Sequence, residues 1–387
     1  MIFSMELENL FSPGKIGNVQ IKNRLVRSAT HERSSEKYGY VGDAHVKIYT
    51  DLAEGGVGLI VTGFTAVDPG GHGSPFQVAL FDDSFTVGQK KLVDAVHEYS
   101  DVKIATQLGH TGRLGKHAKY QPVAPSPVYA KSTKLTPREL KTEEVKELIK
   151  KFIEAGCRAY ECGYDMVQLH GAHGYFLSNF LSPFSNKRTD EFGGSVENKS
   201  RIFIDIYNGI RDEVGKNFPI MVKLQTQDFI PEGLELEEAI KIVKILVDAG
   251  FDAIEPSGGG AEAMGARMQY PSLVVKKPED ENYFLPTAIQ MKPHMKDSAL
   301  ILIGGIKNPI LADKIIKDKN ADFIAMSRPL IYEPDLPNRW KNGDLSPAKC
   351  KSCNSCYWVM LSEPLYCVVK KKRLRREQKL RQKEENN

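Results

Sequence analysis

The sequence has no uninterrupted apolar run near the ~20 residues that a membrane-spanning helix needs, so a helical membrane protein is excluded. The first residues, MIFSMELENLFSPG, carry acidic side chains and no basic stretch ahead of an apolar one. No secretory signal is read there, and a cytoplasmic location is expected. No G-x-G-x-x-G follows the first strand candidate, which argues against a dinucleotide-binding half at the N-terminus. Cysteine is sparse, six in 387 residues, and without an export signal the even count is not read as a disulfide framework. A body-wide basic footprint is missing too. The formal net charge is +4, but the stretch 370–387 alone holds nine Lys/Arg against three Asp/Glu, which leaves the rest near neutral. Nucleic acid is therefore not an expected partner of the folded body.

What the chain does have is a regular alternation. Apolar stretches suited to buried strands recur at 21–29, 58–65, 103–108, 166–169, 219–224, 253–256, 300–303 and 322–326. Helical patterns lie between them at 43–55, 84–99, 142 to about 162, 197–214, 235–249, 286–292 and 309–318. Gly55-Gly56 and Gly250 act as stops, and Ser84 as an N-terminal cap. A glycine-rich loop starts at Gly258 and does not fit the dinucleotide fingerprint. Eight short strands alternating with helices over about 310 residues predict an α/β protein, a (β/α)8 TIM barrel with inserted loops. A doubly wound open sheet is the alternative, and it usually has fewer strands.

In such a barrel, chemistry gathers where the strands end. Past the first strand stand Ser28, Ala29, Thr30, His31 and Glu32, and past the second Gly63, Phe64 and Thr65. The third is followed by Gln107, Gly109, His110 and Arg113, the fourth by His170, His173 and Tyr175, and the fifth by Lys223 and Gln225. Gly304 and Gly305 follow the seventh, Ser327 and Arg328 the eighth. Glycines and an arginine after strands seven and eight suit a phosphate, held by backbone N–H groups and a guanidinium fork. Lys223 interrupts an apolar strand. A buried ammonium needs a negative partner or a bound cofactor's electron-rich edge, unless the chain snorkels out of the mouth. His170 and His173, three apart, leave two readings open: zinc ligands, with no third ligand evident, or a pair gripping an oxyanion beside a proton-donating phenol.

Several of these stretches resemble one family. They are LFSPGKIGNVQIKNRLVRSATHE, QLGHTGR, HGAHGYFLSNFLSPFSNKRTDEFGGSVEN, IGGI and MSRPLI. Together they look like the old yellow enzyme family of FMN-dependent ene-reductases, in the branch of NADH:flavin oxidoreductases related to 2-enoate reductases. The resemblance runs from about Leu10 to Cys367. It implies an FMN across the barrel mouth, with Ser28, Ala29, Thr30 and His31 beside the isoalloxazine and the backbone near Phe64. Gln107 would meet the pyrimidine edge. Lys223, where many members carry Arg, would sit near N1 and the C2 oxygen. Gly304, Gly305, Ser327 and Arg328 would hold the phosphate. It further implies a ping-pong reaction. NAD(P)H reduces FMN, an α,β-unsaturated carbonyl compound enters, His170 and His173 polarise its carbonyl, hydride passes to the β-carbon, and Tyr175 protonates the α-carbon.

Cys350, Cys353, Cys356 and Cys367 form a four-thiolate set whose spacing suits a 4Fe-4S cluster or a structural zinc. The set resembles the cluster segment of the family's multidomain branch, which includes dienoyl-CoA reductases, although the last gap differs slightly. The flavin and nicotinamide domain of that branch is expected to be absent from this chain. Cys157 and Cys162 read as ordinary core or surface thiols. The expected organisation is a barrel at 1–340, a Cys-rich segment at 341–369 and a basic, solvated tail at 370–387. Three functions are weighed: an FMN ene-reductase acting on a small enone or enoate; an FMN/iron–sulfur oxidoreductase with a separate electron-transfer partner; and a metal-binding interaction protein. A homo-oligomer is compatible with each, and no membrane partner is expected.

Overall fold

The computed structural model describes residues 7–99, 101–116, 119–263, 272–359 and 361–385. Four short stretches considered above lie outside them: the first six residues, part of the loop that begins at Gly258, residue 360 of the Cys-rich segment, and the last two residues of the tail.

Eight parallel strands close into a barrel in chain order. They are β1 (Leu25–Arg27), β2 (Leu59–Ala66), β3 (Lys103–Gly109), β4 (Met166–Gly171), β5 (Ile220–Gln227), β6 (Ala253–Gly258), β7 (Ala299–Leu302) and β8 (Phe323–Met326). The barrel expectation is met, and the open sheet is excluded because β8 pairs with β1. The helices return on the outside at Asp43–Glu54, Thr86–His97, Thr142–Glu161, Val196–Val214, Leu236–Ala249, Leu285–Met291 and Pro309–Lys317.

Two local expectations need correction. The stretch 21–29 is not one strand: Val19–Ile21 pairs antiparallel with Gly14–Ile16, and only Leu25–Arg27 enters the barrel. That hairpin drives Ile16 and Ile21 into the bottom of the barrel, among Leu59, Met221 and Phe323. Ser84 does not cap the next helix. The Asp82 carboxylate accepts from the Ser84 N–H at 2.9 Å, and a short 3₁₀ turn (Asp83–Phe85) leads in.

The interior explains why the mouth is polar. Side chains alternate across a strand, so every second residue points inward. The lowest inward layer is apolar, with Ala105, Met166, Met221 and Ala253. Each fully buried methionine of that layer contributes ~1.5–3 kcal/mol, and each alanine methyl less. Two residues higher on the same strands stand Gln107, Gln168, Lys223 and Glu255, all buried. Two higher again stand His170, Gln225 and Ser257. The period-2 rule therefore turns the gradient along each strand into an apolar plug beneath a polar floor.

The Cys-rich segment is stitched to the barrel mouth. Ala348 N–H donates to the Lys307 carbonyl at 2.9 Å, and Leu365 N–H to the Glu32 carbonyl at 2.8 Å. The tail forms one exposed helix, Val368–Glu385. Among the described residues, no helix is long and apolar enough to cross a membrane.

Candidate functional site

The strand ends open into a cavity of about 410 Å³ at the C-terminal mouth. Ser28, Ala29, Thr30, His31, Phe64, Gln107, His170, His173, Tyr175, Lys223, Gly304, Gly305, Ser327 and Arg328 all line it. The mouth thus brings together every barrel residue named for the flavin or the substrate, whereas Glu32, Gly63, Thr65, Gly109, His110, Arg113 and Gln225, also read at the strand ends, do not line this cavity. Of the four cysteines of the C-terminal set, only Cys356 reaches this cavity.

The turn after β4 is built by conformation. His173 and Gly174 are both left-handed, at φ +66° and +76°. For a histidine this is an uncommon and costly backbone state that its surroundings must hold. Gln225 Oε1 accepts the His173 N–H at 2.8 Å, and Ser257 Oγ lies 2.7 Å from His173 Nε2. The turn sets the His170 and His173 rings 5.1 Å apart and the Tyr175 ring 5.1 Å from His170. Phe64 packs against both His170 and Tyr175, at 5.5 and 5.4 Å. Gly109 makes room for it, since a Cβ there would collide with the Phe64 ring. Phe64 is thus a wall beneath the imidazole and phenol.

Burial decides the protonation of this group. Desolvation, reinforced by Lys223, pushes His170 down to about 3. Desolvation and the neighbouring His170 hold His173 well below the usual histidine value. Burial raises the Tyr175 phenol. Two neutral imidazoles and a protonated phenol therefore face the cavity at pH 7, and none of the three carries charge. The buried His170 Nδ1 has no hydrogen-bond partner among the described residues. Such an atom is costly to leave unmet, and it marks a place for a ligand.

Lys223 does not snorkel. Its ammonium lies 3.0 Å from Glu255 Oε1 and donates to Ser28 Oγ at 2.7 Å. Ser28 Oγ donates to Glu255 Oε1 at 2.7 Å, Gln168 Nε2 to Glu255 Oε2 at 2.8 Å, and Gln107 Nε2 to Gln168 Oε1 at 2.7 Å. One network thus ties together β1, β3, β4, β5 and β6. Glu255 and Gln168 were missed from sequence. The signal was present, a lone acid and a lone amide, each in a short apolar strand; the structure adds that Glu255 is in register with Lys223.

On the other side of the mouth, Gly304 and Gly305 have φ of +127° and +73°. A Cβ on Gly305 would meet Val275 and Tyr283 at 2.7 and 2.9 Å, so packing as well as conformation requires glycine. Ser327 Oγ lies 2.7 Å from Thr30 Oγ1, joining the eighth strand end to the first. Arg328 Nη1 donates to Ser352 O at 3.2 Å and to Asn354 Oδ1 at 2.5 Å, so this cation also reaches the Cys-rich segment. Cys350, Cys353, Cys356 and Cys367 border one small cavity with Arg328. Burial raises the Cys350 and Cys356 thiols, while Arg328 pulls both down. Among the described residues, no three His, Cys, Asp or Glu are placed as ligands of one metal ion, neither around His170 and His173 nor among the cysteines.

The donor set fits FMN. The mouth offers glycine loops and Arg328 for a phosphate, an amide and an ammonium on the barrel floor for a heterocycle, and no carboxylate among its described lining residues to repel either.

Fold and site define a class: a (β/α)8 barrel whose mouth carries a glycine- and arginine-bearing rim and a neutral His–His–Tyr group. The chain belongs to the NADH:flavin oxidoreductase / NADH oxidase family, whose model matches residues 9–345. This upholds the old yellow enzyme resemblance read from the motifs. The chain is 37% identical to an NADH oxidase of Thermoanaerobacter brockii over 351 residues, 89% of this chain and 53% of that protein. It is 33% identical to an NADPH dehydrogenase of Clostridium acetobutylicum, covering 89% of this chain and 96% of that one. Among solved structures, a 2-naphthoyl-CoA reductase complex matches with a TM-score of 0.86 at 30% identity, covering 93% of this chain and 56% of the other. The chain spans about half the length of the first curated relatives it matches.

Proposed function

We propose that the chain is an FMN-dependent, NAD(P)H-driven reductase of α,β-unsaturated carbonyl compounds. The observation that carries this reading is the neutral His170–His173 pair beside the Tyr175 phenol at the cavity wall. The redox chemistry, uptake of hydride from NAD(P)H and its delivery to the alkene β-carbon, is what FMN supplies when bound. Ser28, Ala29, Thr30, His31, Gln107 and Lys223 would hold its ring, with Phe64 behind. Gly304, Gly305, Ser327 and Arg328 would hold its phosphate.

The chain's own work is positioning and proton supply. Neutral imidazoles can donate an N–H to a substrate carbonyl and stabilise the charge that develops on its oxygen. That draws electron density from the alkene. Tyr175, protonated at neutral pH, can give its proton to the α-carbon and regain one from solvent. The Glu255 carboxylate keeps the Lys223 ammonium in place on the floor.

The test is the Tyr175→Phe variant, read separately in each half-reaction under anaerobic conditions. Alkene reduction should slow by about 10²-fold or more, in line with loss of a general acid, while reduction of the flavin by nicotinamide is spared. Equal loss in both halves would count against Tyr175 as the donor.

A second reading rests on the cysteines. Four thiols bordering one cavity, with Cys356 also lining the main one, favour a 4Fe-4S cluster beside the flavin site and an electron-transfer partner. NAD(P)H oxidation by the isolated chain supports the first reading, and a requirement for a reductase subunit supports the second. The division at 340 and 369 into barrel, Cys-rich segment and tail is proposed on the same grounds.

A further inference from the structure

Arg33 stands on the loop after β1 and lines the main cavity. Its backbone is left-handed, at φ +49°. The residues on either side are clamped. Glu32 is buried and paired with Arg27 at 3.2 Å, and Ser34 Oγ bonds His45 Nδ1 at 2.8 Å. The Arg33 guanidinium lies over the Phe76 ring, 5.1 Å from its centroid, on the loop after β2. Stacking of this kind fixes the plane of the fork and leaves its N–H edge free.

Two of the other cations of the cavity have side-chain partners. Lys223 is paired with Glu255, and Arg328 belongs to the phosphate rim and Asn354. Lys307 follows Gly304-Gly305 on that rim. Among the described residues no carboxylate pairs with Arg33, and no Asp or Glu lines the cavity. A held guanidinium without a counter-ion, at the edge of a cavity free of carboxylates, is arranged to receive an oxyanion.

We infer that Arg33 is a specificity-determining residue that binds an anionic group on the reducible substrate, a carboxylate or a phosphate separate from the carbonyl that activates the alkene. The inference rests on the ene-reductase reading and narrows it. The substrate is an acidic enone or an enoyl thioester with a phosphate-bearing carrier, held by the histidines at its activating carbonyl and by Arg33 at its separate charged end.

The experiment compares matched acceptors in reoxidising the reduced flavoprotein, for the natural chain, Arg33→Gln and Arg33→Lys. One pair is 4-oxopent-2-enoate and its methyl ester. The other is crotonyl-CoA and the neutral N-acetylcysteamine thioester of crotonate. The kcat/KM ratio of charged to neutral acceptor should fall at least tenfold in Arg33→Gln for one pair, which identifies the anion as carboxylate or phosphate. Arg33→Lys should recover part of it. An unchanged ratio in both pairs, an equal loss with all four acceptors, or a loss confined to the nicotinamide step would each overturn the proposal.

If no acceptor reoxidises the natural protein, the ene-reductase reading fails by itself. Binding of benzoate against benzamide, read by flavin absorbance, then still decides Arg33. Benzoate alone should weaken about tenfold in Arg33→Gln, and equal binding of benzoate by both proteins would overturn the assignment.

Discussion

Glu255 is fully buried in β6 with Lys223 3.0 Å away, and the pair carries no water-facing relief. Removing one member of such a pair strands the other charge in a medium that cannot solvate it. Glu255→Ala should therefore cost about 3–5 kcal/mol, measured by denaturant unfolding at pH 7. Replacing both charges, as in Lys223→Met with Glu255→Leu, should recover most of that stability while abolishing the polar floor of the cavity. A loss below about 1 kcal/mol for the single variant would mean that the pair is not the buried contact described here. Single residues of this kind were only half legible. Lys223 stood out as a charge in an apolar strand, but its partner lies 32 positions on, and only the pairing of β5 with β6 brings them together.

At the scale of elements, strands and outer helices were legible because their periods differ, 2.0 against 3.6, and Gly250 in the left-handed state stops its helix as read. The N-terminal hairpin was not. Its two three-residue strands carry too little pattern, and Ile16 and Ile21 are called inward only by the open bottom of the barrel. The Cys-rich segment carries the prediction at this scale. Its four cysteines border one cavity, and Arg328 links it to the mouth of the barrel. Anaerobic purification should give about four iron and four sulfide per chain with a broad visible absorbance beyond that of flavin. Purified protein without iron and sulfide would end the cluster reading.

For the whole molecule, acid stability follows from histidines that folding keeps neutral. Desolvation, with Lys223 adding to it, sets His170 near 3, and desolvation with His31 sets His45 near 3. Both values are depressed below the ordinary 6.5, so the unfolded chain binds more protons between those limits. Stability should be complete above pH 6.5 and fall as the pH drops from 6.5 toward 3. Each histidine contributes at most about 1.4 kcal/mol per pH unit. Carboxylates titrate in part of the same window, so the check is a difference. Between pH 6.5 and 5, His45→Gln should show a shallower fall in Tm than the natural chain, and parallel curves would refute the assignment.

The sequence by itself determined the barrel, its strand order and the roll of residues at its mouth, because alternation, glycine stops and motif spacing are local properties. Tertiary structure alone decided which of those residues act together. Lys223 needed Glu255 and Ser28 from other strands, and His173 needed Gln225 and Ser257 to hold its left-handed turn. Arg33 became distinct from Lys223 and Arg328 only when the closed barrel showed that those two have partners. Charge pairing and burial depend on distance through space, which a one-dimensional pattern does not carry.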